Sequence, residues 1–305
     1  MEKKTVYVLL GPTGSGKTDF VRSLNPDIYE IISCDSRQVY REMPVGTAVP
    51  DQEVKDKIRH HLIECIRPDE SMDSSMYAET ALRAVHDVFN RGKIPFVVGG
   101  TGFYYMSLKT VPFSAPSDPA VRTYLSELSK DERRSMLQLK DPEVLVHEGE
   151  ITRAGKIHPN DDYRISRALE VCLTTGILWS EHWRLRNEEQ KSSEFLFTGW
   201  YIDVDLEEYK KRLLLRAQQM LDLGFLEEAM SVKKKYGSDC RGLRSLGYRE
   251  ALEVNSGGIS KTDFVELLAD LHYQYGRKQR TWFKREKELA GITAENLPNI
   301  LDDLQ

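Results

Sequence analysis

The chain has 305 residues, a formal net charge of −5, and 30% charged against 40% hydrophobic residues. That length and balance suit one folded domain carrying an insertion, and they exclude a fibrous or disordered polypeptide. The acidic balance also excludes a generic polybasic nucleic-acid binder, so any such partner must be recognised by local clusters.

No run approaches 18 apolar residues, so no membrane helix is expected. Met1–Lys4 leads straight into an apolar strand without a signal peptide, and a cytoplasmic protein is expected. Cys34, Cys65, Cys172 and Cys240 form no C-x-x-C pair and read as reduced thiols. His60 and His61 are adjacent, but without an H-E-x-x-H pattern they read as ordinary core or surface histidines.

Thr5–Leu10 is a short run rich in β-formers, and Gly11-Pro12-Thr13-Gly14-Ser15-Gly16-Lys17-Thr18 follows it. This is G-x-x-x-x-G-K-T between a strand and a helix, the context of a P-loop. Its glycines let successive N–H groups converge on phosphate oxygens, and Lys17 adds a mobile charge. The Thr18 hydroxyl is placed to ligate Mg2+. The motif specifies a polyphosphate and leaves ATP, GTP and other diphosphates open.

A second strand is expected over Ile28–Ser33, ending in Cys34-Asp35-Ser36-Arg37-Gln38-Val39-Tyr40. Ligands of open α/β sheets sit outside the carboxyl ends of the strands, so Asp35 shares a rim with the P-loop. A carboxylate there can hold Mg2+ through water, cap a helix or act as a general base. Met43–Pro50 reads as a loop, Asp51–Ile58 as a capped helix and His61–Cys65 as an edge strand. Ser74–Asn90 has helical apolar spacing ended by Gly92. Ile94–Val98 is a buried strand that ends in Gly99-Gly100-Thr101-Gly102, where many ATP-using P-loop enzymes carry an acid for Mg2+. Thr101 offers a hydroxyl to a ligand, or an N-cap to the next helix.

From Pro116 to Gly199 the pattern is helical, with 12 Lys and Arg against 15 Asp and Glu. Helical stretches are expected at Val121–Leu128, Glu132–Leu139, Val144–His147, Arg164–Leu173 and Ile177–Arg186, before Glu194–Val204 rejoins the sheet. Asp205–Leu221 is amphipathic and carries Arg212 and Arg216 one turn apart, a spacing that can clamp phosphate or simply face solvent. Arg241–Arg249 has the composition of a loop that touches phosphates and stacks on a base. Lys261–Leu289 reads as one long helix, basic near Arg277-Lys278-Gln279-Arg280, with Trp282 and Phe283 as core anchors. The expected fold is α/β: a P-loop NTPase-like parallel sheet core (1–115 and 200–305), an inserted all-helical domain (116–199) and C-terminal helices.

Taken in order, these segments resemble the tRNA dimethylallyltransferases. The resemblance runs along nearly the whole chain. It rests on Gly11–Thr18, Asp35-Ser36-x-x-Val39-Tyr40, Gly46-Thr47-Ala48, Gly99-Gly100-Thr101, His158-Pro159-Asn160-Asp161 with Arg164 and Ser166–Glu170, Gly224-Phe225, Gly247-Tyr248-Arg249, and Arg277-Lys278-Gln279 with Thr281-Trp282. Val49 stands where the family pattern expects a lysine. The resemblance implies transfer of the dimethylallyl group of dimethylallyl diphosphate to N6 of adenosine-37, in tRNAs reading codons that begin with U. It implies Asp35 as the base, with Thr101, Lys17 and Arg216 at the reacting centre. Gly11, Thr13, Gly14, Ser15, Gly16, Lys17 and Thr18 would hold the diphosphate, with Mg2+ on Thr18. The tRNA anticodon stem-loop would meet Asp35, Ser36, Arg37, Gln38, Thr101, Arg122, Asp161, Asp162, Tyr163, Arg164, Ile165 and the run Arg244, Ser245, Leu246, Gly247, Tyr248, Arg249. A monomer is expected. A small-molecule kinase and a non-catalytic RNA-binding protein are the alternatives; the missing strand-end acid and the long insert argue against the kinase.

Overall fold

The computed structural model describes residues 3–110, 117–146, 155–191 and 194–304. The chain divides into two compact units, Met1–Lys109 with Glu194–Gln305, and Thr110–Ser193. The first unit opens with β1 (Lys4–Leu10), α1 (Lys17–Ser23), β2 (Tyr29–Cys34), α2 (Pro44–Thr47), α3 (Gln52–Lys57), β3 (His60–His61), α4 (Ser74–Asn90), β4 (Ile94–Gly99) and α5 (Gly102–Lys109). The second unit holds α6 (Pro119–Glu127), α7 (Lys130–Lys140), α8 (Asp162–Thr175) and α9 (Trp179–Lys191). The first unit resumes with β5 (Phe195–Ile202), α10 (Leu206–Asp222), α11 (Phe225–Tyr236), α12 (Tyr248–Asn255), α13 (Lys261–Phe283), β6 (Leu289–Ile292) and α14 (Leu297–Asp303).

The six strands form one parallel sheet in the order β3-β2-β4-β1-β5-β6. Period-two alternation sends neighbouring residues to opposite faces. Leu9, Ile31, Phe96 and Val98 pack with α1, α10 and α13 in one core. Val6, Val8, Leu10, Ile32 and Val97 pack with α4 and α5 in the other. Both faces are therefore apolar, as a buried parallel sheet requires.

The second unit has its own small core of Leu125, Leu137, Val144, Leu145, Ile157, Ile165, Ala168 and Leu169. Its buried cation is satisfied. Arg133 donates to both carboxylate oxygens of Asp162 at 2.9 Å and to the carbonyls of Leu125 and Leu128.

Several expected boundaries shift. The expected border at residue 199 falls inside β5, because Phe195–Tyr201 pairs with Lys4–Leu10 of β1. Pro44–Thr47 is a short helix rather than a loop, because Glu228 accepts from the N–H groups of Val45 and Gly46 at its start, each at 2.8 Å. The edge strand is only His60–His61; Leu62 and Glu64 have positive φ, which breaks the ladder. Val144–Val146 is not helical: Leu145 bridges to Ile157 instead, and His147 lies outside the described residues. The last long helix stops at Phe283.

Helices α10 and α13 touch at Gly276, where an added Cβ would lie 2.2 Å from the Tyr209 hydroxyl. That hydroxyl donates to the Thr13 carbonyl at 2.9 Å, so the helix pair also braces the glycine-rich loop. Gly276→Val should overpack this seam at a cost of about 1–3 kcal/mol. A thermal melt checks it: a lowered midpoint is expected, and an unchanged one would contradict this contact.

Candidate active site

One rung of register builds the site. Leu10 pairs with Gly99, and Cys34 pairs with Gly99 on the other side. Three parallel strands thus end level, and the next residue of each, Gly11, Asp35 and Gly100, stands on one rim. Backbone bonds lock the row: Gly11 N–H donates to the Gly99 carbonyl, and Gly100 and Thr101 N–H donate to the Cys34 carbonyl, at 3.0–3.1 Å.

The glycine-rich loop leaves β1 and enters α1. Gly14 and Gly16 have φ of 71° and 95°, values only glycine adopts readily. Lys17 folds back over the loop, its Nζ donating to the carbonyls of Gly11 and Pro12 at 2.8 and 2.7 Å. Burial lowers its pKa to about 8; Asp35 opposes that shift and Arg216 adds to it. From α10, Arg216 lies beside the loop: a Cβ on Gly14 would be 3.6 Å from its Cδ. Burial also lowers the Arg216 pKa, and its Nε is buried without a partner among the described residues. Two cations side by side at a glycine-rich loop make a strong anion site.

Asp35 faces them across the rim. Its Oδ1 accepts from the N–H groups of Arg37 at 2.8 Å and Gln38 at 3.4 Å, an Asx turn. Its Oδ2 receives no bond from a described residue and points toward Gly100, whose Cβ would lie 3.6 Å away. Burial raises the Asp35 pKa; the Arg37 N–H and the Lys17 charge resist. The carboxylate is a stronger base for it. Thr101 Oγ1 accepts from Ser36 N–H at 3.0 Å and sits 3.3 Å from Ser36 Oγ.

A cleft of about 510 Å³ opens here, lined by Thr13–Thr18, Asp35, Gln38 and Arg216 with the apolar residues Val21, Ile31, Val98 and Met220. It pairs an anion-binding end with an apolar floor. Among the described residues no group of three or more His, Cys, Asp or Glu could hold a metal.

The family model for IPP transferase matches residues 38–286. The tRNA dimethylallyltransferase of Leptospira interrogans is 40% identical over 293 residues, covering 94% of each chain. The chain belongs to the IPP transferase family. A solved tRNA isopentenylpyrophosphate transferase from Staphylococcus epidermidis superposes with a TM-score of 0.69 at 30% identity, covering 99% of this chain and 98% of that one. A eukaryotic dimethylallyltransferase described as acting on tRNA superposes with a TM-score of 0.77 at 26% identity, covering 95% and 74%.

In this transferase Lys17, Asp35 and Arg216 line one cleft with Thr13–Thr18, while Gly11 and Thr101 stand on the rim beside it. Ser36, Arg37 and Gln38 follow directly on the rim. Arg122 and Asp161–Ile165 belong to the other unit. There Arg122 and Arg167 both hold the buried Glu170, at 2.8 and 2.7 Å. Asp161 caps α8, accepting from Arg164 N–H at 3.1 Å, while Tyr163 is 81% exposed. Two expectations need correction. Ile165 is buried in the second unit's core and offers no side chain to a ligand. Tyr248 is fully buried, donating to Glu228 Oε1 at 2.6 Å, so it cannot stack on a base. Ser245 and Gly247 are buried too; Arg244 and Arg249 are the exposed members of that run, with Leu246 half-buried between them.

Sequence reasoning missed Tyr209, Tyr275 and Gln279. Tyr209 has the spacing of a core residue. The only signal for Gln279 was its place in Arg277-Lys278-Gln279.

Lys17 gives a pH test. An unfolded lysine titrates near 10.5 and the folded one near 8, so between these the unfolded chain binds more protons and stability rises with pH. Wild type should therefore gain on Lys17→Met in melting temperature as pH climbs through this window. A constant gap would show that Lys17 is not desolvated.

Proposed function

We propose that the chain transfers the dimethylallyl group of dimethylallyl diphosphate to N6 of adenosine-37 in tRNA, releasing diphosphate. One observation carries this reading: an anion cradle with two half-buried cations faces a carboxylate oxygen that no donor of the described residues meets, across a cleft with an apolar floor.

The chemistry follows from those groups. As the allylic C–O bond breaks, positive charge grows on carbon and negative charge on the departing diphosphate. Lys17, the loop N–H groups and Arg216 stabilise that anion, which is the main electrostatic task. Adenine N6 is a weak nucleophile because its lone pair is delocalised into the ring. Asp35 Oδ2 accepts its proton as the C–N bond forms. Thr101, oriented by Ser36, lies within reach of the same centre. The Thr18 hydroxyl would hold Mg2+ beside the diphosphate, and among the described residues no group of three or more His, Cys, Asp or Glu would form a cage of protein ligands. When bound it would add charge against the leaving group.

The second unit, with Arg122, Asp161, Asp162, Tyr163 and Arg164, is assigned to recognition of the anticodon stem-loop, together with Arg244 and Arg249 of the first. Exposed Tyr163 is its base-stacking candidate, and an unpaired loop base leaves its stack at lower cost than one in a duplex. We assign the protein as a monomer acting in the cytoplasm. No helix among the described residues is long and apolar enough to cross a membrane.

Labelled dimethylallyl diphosphate, Mg2+ and unmodified tRNA with A36-A37-A38 should yield labelled tRNA. Asp35→Asn should lower turnover by about a thousandfold or more, with tRNA affinity changed less than about threefold. Wild type that never labels tRNA, or full activity in Asp35→Asn, would contradict the proposal.

A further inference from the structure

The run Arg277-Lys278-Gln279 has no role in the reaction as described, yet its third residue reaches the catalytic rim. Gln279 lies on α13 and is 6% exposed. Its Nε2 donates to the Gly100 carbonyl at 2.6 Å across 179 residues of sequence. A Cβ on Gly100 would stand 2.5 Å from that Nε2, 3.3 Å from the Gly11 carbonyl and 3.6 Å from Asp35 Oδ2. The Gln279 amide therefore sits where the cradle, the base and the Gly100 turn converge.

It does not act alone along α13. Four residues earlier Tyr275 meets the Thr101 side chain. Three residues later the Trp282 ring covers Gly102, whose Cβ would lie 2.4 Å from it. Positions i, i+4 and i+7 share one helix face. Tyr275, Gln279 and Trp282 thus run along the turn from Gly100 to Gly102 as a straight-edge.

We propose that Gln279 is a positioning residue for the transfer reaction: through the Gly100 carbonyl it holds the turn that sets Thr101 beside Asp35. The inference rests on the transfer reaction proposed above. A packing role alone is a poor account of this side chain. Its Oε1 is buried with no partner among the described residues, a cost that an apolar side chain of equal size would avoid. The hydrogen bond to Gly100 is what a glutamine supplies here and a methionine does not. Without it, the Gly100 carbonyl loses its only side-chain donor among the described residues and the turn can rotate, carrying Thr101 off the rim; misplacement on this scale is enough to slow a reaction strongly.

Gln279→Met and Gln279→Leu keep an apolar side chain of similar bulk and remove the donor. Both should lower the single-turnover transfer rate by about tenfold or more, while the KM for dimethylallyl diphosphate and the Kd for tRNA change by less than about threefold. Wild type in the same assay tests the reaction itself, so its failure is separable from that of the variants. Transfer within twofold of wild type in either folded variant would overturn the proposal. So would a loss of rate matched by the rise in KM, or failure of both variants to fold, either of which would make Gln279 a core residue only.

Discussion

Leu10, Gly99 and Cys34 lie side by side in three parallel strands, and the site depends on that rung. A slip by one residue would turn every side chain of a strand to the opposite face. The two apolar cores forbid it, because Val8 and Leu9 need different helices beneath them. Packing far from the rim thereby fixes where Gly11, Asp35 and Gly100 emerge. The site is a consequence of the core, and it needs no strained loop to assemble it.

The cradle gathers positive charge and hydrogen-bond donors in one place. Lys17 turns its ammonium back on the carbonyls of Gly11 and Pro12, and burial lowers its proton affinity. Arg216 lies half-buried beside it, and its Nε and the Ser15 Oγ are buried without partners among the described residues. Partly buried charge and donors of this kind cost stability, and binding of an anion there would offset that cost, so under the proposed function binding and local stability are linked. The same charges then favour the step in which the diphosphate takes on the electrons of the breaking bond. Among the described residues, backbone donors meet Asp35 Oδ1 and not Oδ2, which leaves Oδ2 available to a substrate.

Much of this was legible in the chain. G-x-x-x-x-G-K-T after a β-rich run specifies a cradle in almost any context, and the strand-end position of Asp35 follows from sheet chemistry. Ser74–Asn90 was legible to the residue because its apolar spacing is regular and Asp73 caps it. What could not be read was set by distant partners. Pro44–Thr47 is a helix only because Glu228 arrives from α11 to satisfy its N–H groups. Tyr248 has the look of a base-stacking aromatic, and only the fold reveals Phe225 and Glu228 around it. Gln279 is polar in a helix with exposed basic neighbours, and nothing local says that it turns inward to Gly100.

The central claim is that the cradle grips a group that leaves and not a phosphoryl group that is donated. It is tested most directly by running the reaction with tRNA, dimethylallyl diphosphate and ATP together, and counting diphosphate released, five-carbon adducts on tRNA and ATP consumed. The account predicts one diphosphate for each adduct with ATP untouched. Adduct-free phosphoryl transfer from ATP at this site would contradict it.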